Sequence, residues 1–111
     1  MTQDEVEAHC LSLPAATMVV QWGGSRVFKV GGRIFAACGL WPVAFKASDI
    51  AYELLPAQGL ARPARYLWRA KWLELAMDAL ADDALRGYLT EAHAIVAGRL
   101  TRKARAELGF A

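Results

Sequence analysis

Residues 22–35 read WGGSRVFKVGGRIF: two short β-rich runs on either side of Gly31-Gly32, with a second glycine pair, Gly23-Gly24, ahead of them. Gly-Gly between runs of this kind predicts a tight hairpin, because primed two-residue turns need positive φ and glycine supplies it without steric cost. A loop at Gly31-Gly32 pairs Val30 with Arg33 and Lys29 with Ile34. Phe28 then lies opposite Phe35 on the same face, an aromatic cross-strand pair that pins the register. The stretch decides architecture and carries no reaction chemistry.

Working outward, residues 18–22 read as a strand before the hairpin strands 26–30 and 33–38. Residues 43–46 give a fourth short strand after Trp41-Pro42. Consecutive strands on short turns imply an antiparallel meander. Upstream, Thr2-Gln3-Asp4-Glu5 has the form of a capping box, and Val6, Cys10 and Leu13 follow as one apolar helical stripe that Pro14 ends. Downstream, Ser48 caps a helix over 49–55 that Pro56 is expected to terminate. Residues 60–71, LARPARYLWRAK, read as irregular and basic. Residues 72–77, WLELAM, suit a last strand, although the pattern also fits a helical turn. Asp82-Asp83 opens the longest helix, with Leu85, Tyr88, Leu89, Ala92, Val96 and Leu100 at three- and four-residue steps. Thr101 caps a short terminal helix that Gly109 ends. The order is α+β: an antiparallel β-meander packed by an N-terminal helix, a middle helix and C-terminal helices.

The 111 residues are expected to form one domain, 1–111, with 56% hydrophobic and 22% charged residues and a formal charge of +2. That balance is too mild to argue for nucleic acid by itself. Cys10 and Cys38 lack metal or redox spacing and read as buried free thiols of a reducing cytosol. The acidic start is unlike a signal peptide, and no apolar run approaches the ~20 residues of a membrane span, so a cytoplasmic protein is expected.

Arg62, Arg65, Arg69 and Lys71 form a stretch free of acids, interleaved with Pro63, Tyr66, Trp68 and Trp72. Arginine pairs with phosphate and aromatic rings stack on bases, which suits nucleic acid. The structural alternative is a loop whose arginines pair with Glu74, Asp78, Asp82 or Asp83. Arg99, Arg102, Lys103 and Arg105 are a second basic cluster, which the helix dipole also explains. His9 and His93 lack ligand spacing, and the serines lack a nucleophile context, so no metal, cofactor or covalent catalysis is expected. Four tryptophans are many for this length. Trp41 and Trp68, if exposed, would form a surface for a protein or peptide partner.

Several of these segments, in this order, resemble the MmcQ/YjbR family of small bacterial proteins. They are Leu13-Pro14, Trp22-Gly23, Val27-Phe28-Lys29-Val30, Gly32-Arg33-Ile34-Phe35, Phe45-Lys46, Pro63-Ala64-Arg65-Tyr66, Trp72, and finally Leu100, Lys103 and Arg105. The resemblance implies an α+β fold grouped with type III secretion chaperones and described as a double-wing motif, in proteins commonly labelled DNA-binding from their shape. Thr101 stands where the family often has proline, and the region of Trp68 and Arg69 has no clear counterpart. The reading is a non-enzymatic cytosolic domain that binds DNA through Arg62, Arg65, Arg69, Lys71, Arg102, Lys103 and Arg105. The alternative is an adaptor for protein or peptide using Trp41 and Trp68.

Overall fold

The computed structural model describes residues 1–21, 23–64 and 70–110. The chain runs α1 (Gln3–Leu11), β1 (Ala16–Gln21), β2 (Ser25–Val30), β3 (Arg33–Cys38), β4 (Pro42–Lys46), α2 (Asp49–Ala57), β5 (Arg62–Pro63), β6 (Trp72–Ala76), α3 (Asp82–Gly98) and α4 (Arg102–Glu107). The strands form one sheet in the order β1-β2-β3-β4-β6-β5, antiparallel throughout. The expected α+β meander is present, and residues 72–77 resolve in favour of the strand. The stretch 60–71 differs from expectation: Arg62-Pro63 is a two-residue edge strand on β6. A proline suits an edge because its missing N–H leaves no ladder bond unmade.

The hairpin turns where expected, with Gly31 and Gly32 both at positive φ, and Val30–Arg33 and Lys29–Ile34 pair. The Phe28–Phe35 pairing does not occur. Phe28 faces Ala36, and the register shifts between Phe28 and Lys29, so Phe35 is the extra residue of a β-bulge. The reason lies in the faces. An uninterrupted register would turn Ala36 and Cys38 outward, whereas the bulge lets Phe35, Ala36 and Cys38 all join the core. Phe28 and Phe35 still meet, tilted, at 6.4 Å between ring centroids.

The core lies between one sheet face and the helices. Phe28, Phe35, Phe45, Leu73, Leu85 and Leu89 are fully buried, each contributing roughly 1.5–3 kcal/mol of transfer free energy. Phe45 stacks on Tyr88 at 5.7 Å, and Phe35 meets His93 edge-on at 5.2 Å. His93 Nε2 sits 2.7 Å from the Pro14 carbonyl, which only accepts, so this nitrogen carries the proton. His93 therefore ties α3 to the α1–β1 turn. Cys10 and Cys38 are buried free thiols, their pKa values pushed up by burial to about 12 and about 11.

The caps follow the sequence closely. Thr2 and Glu5 form the complete capping box, Ser48 Oγ accepts from the Ala51 amide, and Thr101 Oγ1 accepts from Ala104. Pro56, however, does not end α2. It sits in the last turn, and the helix closes at Gly59, whose φ is +73°, through Leu60 N–H to Leu55 O and Gly59 N–H to Pro56 O. Those two bonds satisfy terminal carbonyls, so the stop is made by a left-handed glycine rather than by the proline. Gly109 closes α4 by the same pair of bonds. Among the described residues no helix is long and apolar enough to cross a membrane.

Candidate nucleic-acid interface

Strand direction sorts the charges into two ends. Lys29 and Arg33 flank the β2–β3 turn, and β4 finishes beside them at Lys46, which pairs with Trp72, next to Lys71. The far end of α3 reaches the same place: a Cβ on Gly31 would lie 2.7 Å from Leu100 Cδ1, so the turn rests directly on that leucine. Arg99 precedes Leu100, and α4 with Arg102 and Lys103 follows it. Lys29, Arg33, Lys46, Lys71, Arg99, Arg102 and Lys103 are thus collected at the hairpin end. The acids on the same segments are Asp49, Glu53 and Glu107.

The opposite end carries Trp41 and the acids. Asp4, Glu5 and Glu7 start α1, and Asp78, Asp82 and Asp83 lie around the start of α3. The N-terminal amine joins the two groups by donating to Met77 O at 3.0 Å and pairing with Asp82 at 3.2 Å. Arg26 takes Asp4 at 2.8 Å and Glu7 at 3.5 Å, and Arg86 takes Asp83 at 2.9 Å.

The seven sequence-chosen cations fare differently from one another. Arg62 pairs with Glu74 at 3.0 Å across β5 and β6, as the charge-balance alternative anticipated. Lys71 pairs with Asp49 at 2.6 Å and holds that carboxyl below its ordinary pKa. Arg105 donates to Ala97 O at 2.7 Å and lies over the Phe110 ring at 5.2 Å, bracing α4 against α3. Arg102 and Lys103 are exposed and have no ion pair among the described residues. Arg65, Arg69 and Trp68 lie outside the described residues. Trp72 is buried and presents no stacking platform, whereas Trp41 is 61% exposed beside Leu40 at 92%.

Sequence reasoning missed Lys46 and Arg99 as partners of Lys71. Lys46 is buried, donates to Ala70 O, and has its pKa lowered first by burial and then by Arg99 and Lys71. A lysine closing an apolar strand was its only linear trace. The site also contains strain. Lys71 sits at φ +58°, in the left-handed region that a non-glycine residue enters at a cost.

A groove of about 400 Å³ opens beside Trp41, lined by Pro42, Leu60, Arg62, Glu74 and Leu75.

The YjbR family model matches residues 11–95. The chain belongs to the YjbR family. That span takes in α1's end, the whole sheet and most of α3, while Arg99, Arg102 and Lys103 lie beyond it. The crystal structure of Deinococcus radiodurans protein DR2400, described as a DUF419 domain, is similar to this YjbR-family chain. Its TM-score is 0.84 at 23% identity, over 99% of this chain and 89% of that one. At that identity the likeness speaks for the fold. No curated protein matches the chain.

Proposed function

We propose that this chain is a non-enzymatic, cytosolic DNA-binding domain that engages the phosphate backbone with the hairpin end of its sheet. The observation that carries the reading is the segregation of charge along the strands: Lys29, Arg33, Arg99, Arg102 and Lys103 gather around Leu100 with no ion pair among the described residues. Cations that balance no internal acid are free to release counterions from a polyanion. Phosphate contacts carry no base information, so binding is expected to be indifferent to sequence.

The test is fluorescence anisotropy with two unrelated duplexes across a salt series. Replacing Arg99, Arg102 and Lys103 with glutamine should flatten the slope of log affinity against log salt by about 2.7, at about 0.9 per lost contact. Absence of duplex binding at low salt sinks the reading. A second reading, capture of a protein or peptide, draws support from exposed Trp41 in the groove and exposed Leu40 next to it in sequence. Apolar capture there would be nearly indifferent to salt and lost on Trp41→Ala.

A further inference from the structure

Lys46 is the one charged side chain that the fold buries among the described residues, with 5% of it exposed. Its ammonium donates to a neutral acceptor, the Ala70 carbonyl, and forms no ion pair among the described residues. Desolvated charge is retained at low cost only with a counter-charge, and here the company is mostly of the same sign. Arg99 and Lys71 both act on Lys46 repulsively, and Asp49 alone acts the other way. Asp49 is shared, since its carboxylate already holds Lys71 at 2.6 Å and is itself 83% exposed. Three cations and one carboxylate leave a surplus of two positive charges in one corner.

The backbone holds this corner together. The Ala47 amide donates to Lys71 O at 2.9 Å, and Lys46 reaches Ala70 O, so the end of β4 is laced to the start of β6. Lys71 is kept left-handed at φ +58° to do so. α2 begins immediately after, at Asp49, with its Ser48 cap in place.

We propose that this corner is a binding site for a phosphate monoester dianion, held by Lys46, Lys71 and Arg99, with the Asp49 carboxylate standing where an incoming phosphate takes over Lys71. The surplus of two charges matches a terminal phosphate better than an internal diester, which carries one. Tetrahedral oxygens can accept from two ammonium groups and a guanidinium together. The site shares Lys71 and Arg99 with the basic end but does not require duplex binding. Its ligand is either the phosphorylated end of a nucleic-acid strand or a free phosphorylated small molecule.

The experiment is an amide NMR titration of the intact chain with inorganic phosphate, against sodium chloride at matched ionic strength. Saturable shifts at residues 46–49 and 70–71 are expected. Lys46→Met keeps the apolar stem and should weaken phosphate at least about tenfold. Asp49→Asn, at an exposed position, removes the competing carboxylate and should tighten it several-fold. A response equal to that of chloride, or unchanged affinity in both variants, overturns the site. Oligonucleotides with 5′-phosphate and 5′-hydroxyl then separate the sources. Preference for the phosphorylated strand assigns a nucleic-acid end, and equal binding with the inorganic response intact assigns a small molecule. Duplex binding without a phosphate response defeats this site alone, while saturable phosphate without duplex binding defeats only the DNA reading.

Discussion

At the Trp41 end of the sheet, the cations of the described residues are matched: Arg26 has Asp4 and Glu7, Arg86 has Asp83, and the N-terminal amine has Asp82. At the hairpin end, Lys71 alone has an ion-pair partner, Asp49, while Lys29, Arg33, Lys46, Arg99, Arg102 and Lys103 have none among the described residues. A formal charge of +2 therefore conceals a molecule whose cations are all paired at one end, where acids are in excess, and are in surplus at the other. Neutralised charge supports the fold locally. Unmatched charge repels itself, raises the local potential and favours an external anion.

The largest effect should follow from Gly31→Val, which attacks the hairpin end. Its φ of +59° disfavours a β-branched residue, and the new Cβ would meet Leu100 at 2.7 Å. Strain and overpacking together should cost about 2–4 kcal/mol in urea unfolding. The same variant should weaken duplex binding, because the turn that carries Arg33 rests on Leu100, next to Arg99. A destabilised protein that binds duplex at full strength would break the link between turn packing and the basic surface.

Thr2→Ala tests the acidic end. It removes the acceptor of the Glu5 amide and half of the capping box. A loss of about 1 kcal/mol is expected, read as a fall in Tm of about 5 °C. Duplex affinity should not change, and any loss there would mean that the two ends are coupled.

Arg62→Ala should have the smallest effect on stability. Its partner Glu74 is close, at 3.0 Å, but the arginine side chain is 77% exposed. Pairs of this kind are worth under about 1 kcal/mol. The outcome sharpens the functional comparison: if Arg62 is only internal balance, the salt slope for duplex stays the same, and a flatter slope returns it to the interface.

The paired carboxylates and the buried lysine should act in different pH windows with the same sign. Hydrogen bonds from Thr2 lower the Glu5 pKa, and Lys71 lowers that of Asp49. The stabilisation these two carboxylates give is present above the unfolded carboxyl range and is lost as pH falls through their lower folded values. Lys46 has the same slope in an alkaline window, where a rising pH relieves a penalty rather than restoring a stabilising contact. Burial first, then Arg99 and Lys71, lower its folded pKa against the pull of Asp49, so the unfolded chain binds that proton more tightly. Stability should therefore rise as pH climbs from the folded towards the ordinary lysine value. Urea midpoints across pH would show the alkaline rise in the native chain and its loss in Lys46→Met.

Much of the fold was legible in the linear chain because its signals are local. A glycine pair specifies a turn, Thr2-x-x-Glu5 a helix start, and the three- and four-residue steps after Asp83 a buried helical face. The misses have a common cause. Phe35 became a bulge because the inward faces of two strands had to be reconciled, and Pro56 stayed inside α2 because Gly59 closes the helix three residues later. Neither event is visible without the neighbouring element.

The candidate site was less legible for the same reason. Residues adjacent in sequence made Arg62, Lys71, Arg102, Lys103 and Arg105 look like two clusters. Tertiary structure divided them, sending Arg62 to Glu74 and Arg105 to Ala97 and Phe110, and drawing in Lys46 and Arg33 from separate elements to join Arg99 of the second cluster. Composition determined that the chain carries a small positive excess, and local pattern determined the elements and the antiparallel meander. Only the packing of α3 along the strands decided where the excess lies, because Coulomb interactions depend on distance through space and the chain brings residues 33, 46, 71 and 99 to one end of the molecule.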